Sequence, residues 1–353
     1  MQPGTFCNLD CRYCYLPDRH DVRHMPPEVN EAVADTAAKW SAAGHGVEAL
    51  WHLGEPLAVG VERLDRLLSR WPRETSHTIQ TNGTLINDAW CDLFQAHRVR
   101  LSVSSDGPGP MNADRVTRSG RPAASRIEAG LAALRSRAIP FDLLSVVRVP
   151  DARTAGAVYS YARDIGAVSL GILPEEKKGA HGRSAAASKE DWTEFFSALY
   201  TEWQRDPAVR LRELESVMNC RDSILAGVTY EQLQDIPVEP MPTVSHNGDV
   251  TVLSPDFSGH THPEYGPFTV GNVLDDALDS ILARAHERPW VREALTGVRN
   301  CRTACRYASV CGGNWPANKY FELGRLDATE TAYCRNLHQA KMEGALQCQT
   351  PSQ

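Results

Sequence analysis

Cys7-Asn8-Leu9-Asp10-Cys11-Arg12-Tyr13-Cys14 is a run of three cysteines spaced Cys-x3-Cys-x2-Cys, with an aromatic residue just before the third. Three thiolates this close on one loop can hold three corners of a cubane iron–sulfur cluster. The fourth iron then has no protein ligand and stays open to a substrate or cofactor, whereas a fully ligated cluster only passes electrons. Zinc fits less well. It usually takes four ligands in two Cys-x2-Cys-like pairs, and no fourth Cys or suitable His lies close by. Disulfides are also disfavoured, because nothing in the first residues reads as a signal peptide.

The rest of the composition agrees. A chain of 353 residues suggests two domains or one large α/β unit with an appendage. A hydrophobic content of 42% is enough for sizeable cores. The net charge of −7, with no basic run, makes nucleic acid a poor partner. No apolar stretch approaches the roughly 18 residues of a membrane helix, so no membrane partner is expected. Ten cysteines without an export signal imply a reducing, cytoplasmic location and metal thiolates rather than disulfides.

From Cys14 to about residue 175 the pattern alternates between helix and strand. Helices are read at 28–43, near 60–71, at 86–96, near 124–137 and at 152–165. Strands are read at 47–52, 76–81, 98–104, 141–148 and 168–173. Such alternation argues for a parallel sheet curled toward a barrel by right-handed crossovers. Active residues then sit in loops at the strands' C-terminal ends. One further strand, before Cys7, has only about five residues. Either it is very short or the given start lies inside the natural protein. Residues 175–188 read as a flexible loop. Residues 189–204 read as a helix whose stripe of Trp192, Phe195, Phe196, Leu199, Tyr200 and Trp203 is core-like, and 208–235 read as helical. The expected division is 1–235 for the barrel with bridging helices and 236–353 for a Cys-rich domain.

That second part carries Cys301-x3-Cys305-x5-Cys311-x22-Cys334. Four thiolates can saturate a cubane cluster or hold zinc; beside the first triplet, iron–sulfur is favoured. Cys91, Cys220 and Cys348 remain and read as buried inert thiols, with Cys220 the exception to watch.

The N-terminal triplet with Tyr13 resembles the signature of radical S-adenosylmethionine (radical SAM) enzymes, whose fold is a partial (β/α)6 barrel. The resemblance implies that Cys7, Cys11 and Cys14 hold a 4Fe–4S cluster whose open iron is chelated by SAM. One electron then splits SAM to a 5′-deoxyadenosyl radical that abstracts a hydrogen atom. Gly54-Glu55-Pro56, after the strand at 47–52, matches the family motif that contacts the SAM amino group; alone it is a common turn. Asn82, in Thr81-Asn82-Gly83, is either a cofactor contact or an ordinary turn residue. Ser104 matches the strand-end Ser that touches the SAM carboxylate or ribose. Arg115 matches an Arg that reaches the active site, a residue type suited to binding carboxylates in bidentate fashion; it could equally be a solvated loop charge.

The C-terminal cysteines resemble the SPASM or twitch-like auxiliary-cluster domain of peptide-modifying members. The full domain holds two auxiliary clusters with seven cysteines. Here Trp315 stands at one expected cysteine, and Gly248–Ser254, similar to the family hairpin, has none. One auxiliary 4Fe–4S cluster is therefore expected. The run from Cys311 to Cys334, with Asn8–Arg19 and Ser254-Pro255-Asp256-Phe257, is similar to maturases of ribosomal peptides that form cyclophanes. That implies a carbon–carbon link between an aromatic ring and a β-carbon, with Asp256 as base; a Pro-Asp turn is the plainer reading. The implied partners are a precursor peptide of leader plus core and an electron donor such as flavodoxin or ferredoxin. No leader-binding module fits before Cys7, so the leader would add to an exposed sheet edge or bind a separate protein. Epimerisation, thioether formation and formylglycine formation are alternatives on the same machinery. An iron–sulfur electron carrier or scaffold is the non-enzymatic one.

Overall fold

The computed structural model describes residues 1–183, 187–229, 232–233, 238–313 and 315–349. Six strands, β1 (Glu48–Trp51), β2 (Ser76–Thr81), β3 (Arg100–Ser104), β4 (Phe141–Val147), β5 (Ser169–Pro174) and β6 (Arg210–Leu211), form one parallel sheet in sequence order. The intervening helices are α1 (Pro27–Ala42), α2 (Val61–Ser69), α3 (Asp88–Ala96), α4 (Ala124–Ser136), α5 (Ala152–Asp164), α6 (Lys189–Arg205) and α7 (Arg212–Leu225). This is the parallel α/β sheet that the alternating pattern implies, and it fits the partial barrel that the resemblance to radical SAM enzymes implies.

Local chemistry sets the boundaries. Asn87 and Asp151 cap α3 and α5 by accepting from the backbone N–H of Trp90 and Thr154. Ser188 and Asp191 form a reciprocal capping box at the start of α6. In β4 alternate residues are fully buried, the period-two signature of a strand.

The sixth strand differs from the sequence reading. Residues 208–235 are not one helix: Arg210–Leu211 pairs with Ser169–Leu170 before α7 begins. Two residues are too few to show a strand period. Part of that reading, 230–231 and 234–235, lies outside the described residues. At the other end, residues 1–6 run beside β1: the His52 N–H donates to the Met1 carbonyl at 3.0 Å and the Glu55 N–H to the Phe6 carbonyl at 2.9 Å.

Backbone contacts group the chain into two compact units. One comprises Met1–Ser104, Ala113–Phe141 and Pro240–Arg292; the other comprises Ser105–Asn112, Asp142–Glu239 and Glu293–Gln353. The first unit's core includes Trp51 and Trp71, 5.9 Å apart edge to face, with the Trp51 indole N–H on His77 Nδ1. It also includes Phe257, Phe268 and Trp290. In the second unit the α6 stripe of Trp192, Phe195, Phe196, Leu199 and Tyr200 is buried, as expected of core. Each such side chain contributes roughly 1.5–3 kcal/mol before entropy is charged against it. The helix Ala340–Gln349 packs on α6 at Gly344, where a β-carbon would lie 2.8 Å from Phe196 Cβ. No helix among the described residues is long and apolar enough to cross a membrane.

Candidate functional site

The cysteine loop is fastened on both edges. On one side its backbone zips antiparallel to residues 114–117. The Asp10 N–H donates to Val116 O at 2.8 Å and the Arg12 N–H to Asp114 O at 3.0 Å, while Leu9 bridges Thr117. Arg12 adds a 3.3 Å ion pair to Asp114. On the other side the Cys7 N–H donates to Arg19 O, and Arg19 returns its guanidinium to Asp10 at 2.8 Å and to Leu16 O at 2.7 Å.

The three thiols converge. Burial raises Cys7 well above an ordinary thiol, and Glu55, Cys11 and Cys14 add charge repulsion. Burial likewise raises Cys14, against the backbone of Leu16 and the cations Arg19 and Arg115. Asn82 Nδ2 donates toward Cys7 Sγ at 3.8 Å and to Asn8 Oδ1 at 2.8 Å. Crowded thiols of this kind need positive charge to ionise together. Iron supplies it, so the residues fit the cluster.

The strand-end motifs gather on this loop. Gly54 has φ +70°, and a β-carbon there would lie 2.7 Å from Thr5 O, 2.8 Å from Gly4 O and 2.9 Å from Phe6 O. Only glycine lets the turn approach the backbone leading into Cys7 so closely. Pro56 starts a single 3-10 turn, Pro56–Val59, and is buried. The Glu55 carboxylate is 1% exposed. It accepts from the Leu57 N–H at 3.1 Å, Thr81 Oγ1 at 2.6 Å and the Asn82 N–H at 2.8 Å. Burial outweighs these bonds and lifts its pKa to about 7. Two carboxylate oxygens offer about four acceptor positions, so one remains for an incoming cation.

Arg115 is buried, with its guanidinium carbon 5.5 Å from the centre of the Tyr13 ring. It is not a solvated loop charge. Ser104 is half-buried at the end of β3. In the other unit, Ser105 bonds Tyr161 and Asn112, and Asp106 accepts from the Val146 N–H at 3.0 Å, so the Asp-Gly of this strand end is structural there.

Asp256 sits in the turn Pro255–Phe257, buried, accepting from Ser254 Oγ at 2.9 Å. Its charge reaches His260, whose ring hydrogen-bonds the backbone of Tyr15, the residue after Cys14.

The second cysteine set also converges. Burial pushes Cys334 up to about 12, with Cys311, Cys305 and Cys301 adding repulsion. Cys301, Cys311 and Cys334 line one small cavity with Gly313, Trp315 and His338. No three His, Cys, Asp or Glu among the described residues close on a single metal ion. Four crowded thiols of this kind need positive charge to ionise together, which iron would supply. Burial beside the Lys341 ammonium keeps the His338 ring neutral. Cys91 and Cys220 are buried, and the Cys348 thiol lies 3.0 Å from Ser197 O.

Comparison with known proteins follows this geometry. The family model described as Radical SAM superfamily matches residues 1–153. An uncharacterized protein of Synechocystis sp. (strain PCC 6803) is 30% identical over 353 residues, covering 95% of this chain and 87% of that protein. A serine-type anaerobic sulfatase-maturating enzyme of Klebsiella aerogenes is 32% identical over 216 residues, covering 58% of this chain and 53% of that enzyme. In fold the chain is similar to native anSMEcpe with bound AdoMet and Cp18Cys peptide. The TM-score is 0.74 at 21% identity, over 98% of this chain and 95% of that one.

Proposed function

This chain belongs to the radical SAM superfamily, and from that premise we propose that it modifies a ribosomally made precursor peptide by joining an aromatic ring carbon to a β-carbon. Cys7, Cys11 and Cys14 hold the SAM-binding 4Fe–4S cluster, and Cys301, Cys305, Cys311 and Cys334 an auxiliary one. When bound, the first cluster with SAM supplies a hydrogen-abstracting radical, and the auxiliary cluster supplies a sink for one electron. Gly54 and Pro56 let the backbone approach SAM, and Glu55 turns its remaining acceptor position to the SAM ammonium. Asn82 and Ser104 contact the cofactor, while Arg115 and Tyr13 brace the cysteine loop from beneath. A flavodoxin or ferredoxin delivers the electron.

The observation that supports a radical step followed by proton loss is the placement of Asp256. A buried carboxylate, hydrogen-bonded by Ser254 and close enough for its charge to act on His260, is held in the same compact unit as the cysteine loop. There it takes the proton that restores aromaticity once the ring has been attacked. The peptide class is supported by the name of the Klebsiella relative and by the peptide-bound structure of similar fold. That relative's name also favours a second reading, oxidation of a Ser or Cys to formylglycine, for which Asp256 would remove a proton in the same way.

The test uses the reconstituted full chain, SAM, reductant and any short precursor peptide found encoded beside its gene. The expected product is two hydrogens lighter and unreactive to aldehyde traps, with deuterium from the β-carbon found in 5′-deoxyadenosine. Asp256→Asn should still cleave SAM while making product at least tenfold more slowly. A product captured by a hydrazide establishes formylglycine instead. Deuterium transfer from an α-carbon with unchanged mass identifies an epimerase.

A further inference from the structure

His338 lies on the π-helical turn Cys334–Gln339, four residues beyond the last cysteine and lining the same cavity as Cys301, Cys311 and Cys334. Single π turns concentrate at functional positions. Both ring nitrogens are buried, and neither has a hydrogen-bond partner among the described residues. A neutral imidazole carries one N–H and one lone pair, and buried polar groups are almost always satisfied. Of the polar groups around the cavity, Thr331 Oγ1 already accepts from the Cys334 N–H at 3.0 Å and Gly313 O from Lys319 Nζ at 3.3 Å. A group that fills the cavity would supply the partner these do not.

The ring is also held in place. Trp315 lies 5.9 Å from it, tilted, and Tyr333 lies 5.7 Å away, edge on. Trp315 adopts φ +75°, an uncommon conformation for a bulky residue, and thereby turns its indole into this wall. The position that lacks a cysteine for an inner cluster thus supplies the surface that orients His338.

We propose that His338 donates its ring N–H to a sulfur of the auxiliary cluster held by Cys301, Cys305, Cys311 and Cys334, raising that cluster's reduction potential. Four thiolates already match the four irons of a cubane, so the imidazole acts as a hydrogen-bond donor rather than a fifth ligand. Donation to cluster sulfur stabilises the more negative, reduced state, which suits an electron acceptor. His338 is a positioning residue of this kind, and the inference rests on the iron–sulfur reading of the four cysteines.

The experiment uses the full-length Cys7→Ala/Cys11→Ala/Cys14→Ala chain, so that only the auxiliary cluster is present. Iron per chain is measured first, then the potential by EPR-monitored titration for His338, His338→Gln and His338→Phe. About four iron per chain is expected, with the potential falling on His338→Phe and lying between for His338→Gln, which keeps an N–H. Electron–nuclear double resonance on the reduced chain labelled with ¹⁵N-histidine should show a weakly coupled exchangeable proton and no strong nitrogen coupling, even if His338→Phe loads poorly. Absence of iron removes the cluster reading and this inference together. Full iron with equal potentials, or no such proton, removes the role of His338 alone. Strong ¹⁵N coupling makes it a ligand and overturns the donor assignment.

Discussion

The Arg115 guanidinium lies over the ring of Tyr13, the residue before the third cysteine, 5.5 Å from the ring centre. A buried cation over an aromatic face is worth about 1–2 kcal/mol. Tyr13→Leu and Arg115→Lys should each destabilise the iron-loaded chain by about that amount, and the double variant should cost clearly less than their sum. Anaerobic thermal unfolding of the four proteins measures the coupling. Strict additivity would show that the two side chains merely share a neighbourhood.

Gly54→Ala should be far worse than Gly166→Ala. Both glycines have positive φ, +70° and +72°, but only Gly54 has backbone oxygens within 3 Å of the missing β-carbon. The conformational cost alone is about 1 kcal/mol. The added clash brings Gly54→Ala to about 3 kcal/mol or more, with SAM binding lost. Denaturant unfolding of both variants separates the two contributions, and equal costs would overturn the close-approach account.

Glu55 makes the cofactor-free chain pH-dependent. Its folded pKa of about 7 lies above the ordinary value of 4.5. The folded state therefore holds the proton more tightly than the unfolded state. Its contribution is fully present below pH 4.5 and is lost as pH rises through 7, by about 3 kcal/mol in total. Glu55→Gln should flatten that slope while lowering stability at acid pH, since a –NH₂ then faces a backbone or hydroxyl donor. SAM affinity should rise over the same interval, because the ammonium needs the ionised carboxylate. A stability profile with no difference between wild type and Glu55→Gln from pH 4.5 to 7 contradicts the assignment.

Metal content tests the number of clusters. Anaerobic reconstitution should give about eight iron and eight sulfide per chain, falling to about four in Cys334→Ala. Saturation at about twelve iron would restore the inner auxiliary cluster that Trp315 argues against.

Much of this was legible because it is local. The triplet Cys7, Cys11, Cys14, the turns at Gly54-Glu55 and Asn82-Gly83, and the run Cys301, Cys305, Cys311 are short spacings that can be picked out without a tertiary partner. The alternating elements were legible for the same reason, β2 and α1 almost to the residue. What escaped depends on distant or backbone-borne contacts. The 114–117 edge holds the cysteine loop through main-chain N–H and C=O groups that no residue type announces. Arg210–Leu211 is a strand only because β5 offers it a partner. Arg115 could be read as solvated until the Tyr13 ring was seen above it. His338 is a lone histidine in the sequence and becomes notable only when burial strips both nitrogens of partners.

The edge pairing of residues 9–12 with 114–117 bears on the order of events during biosynthesis. Arg12 and Asp114 are 102 positions apart, so this clamp on the first iron-binding loop cannot close until that much more of the chain has been made. The loop's three thiols emerge from the ribosome long before the strand that clamps them. Throughout that interval they are accessible to oxidants and to adventitious metals. Iron delivery to Cys7, Cys11 and Cys14 thus belongs after the segment through Thr117 has been made and docked. A nascent fragment ending before Asp114 should bind iron loosely and lose it to a chelator that the finished protein resists.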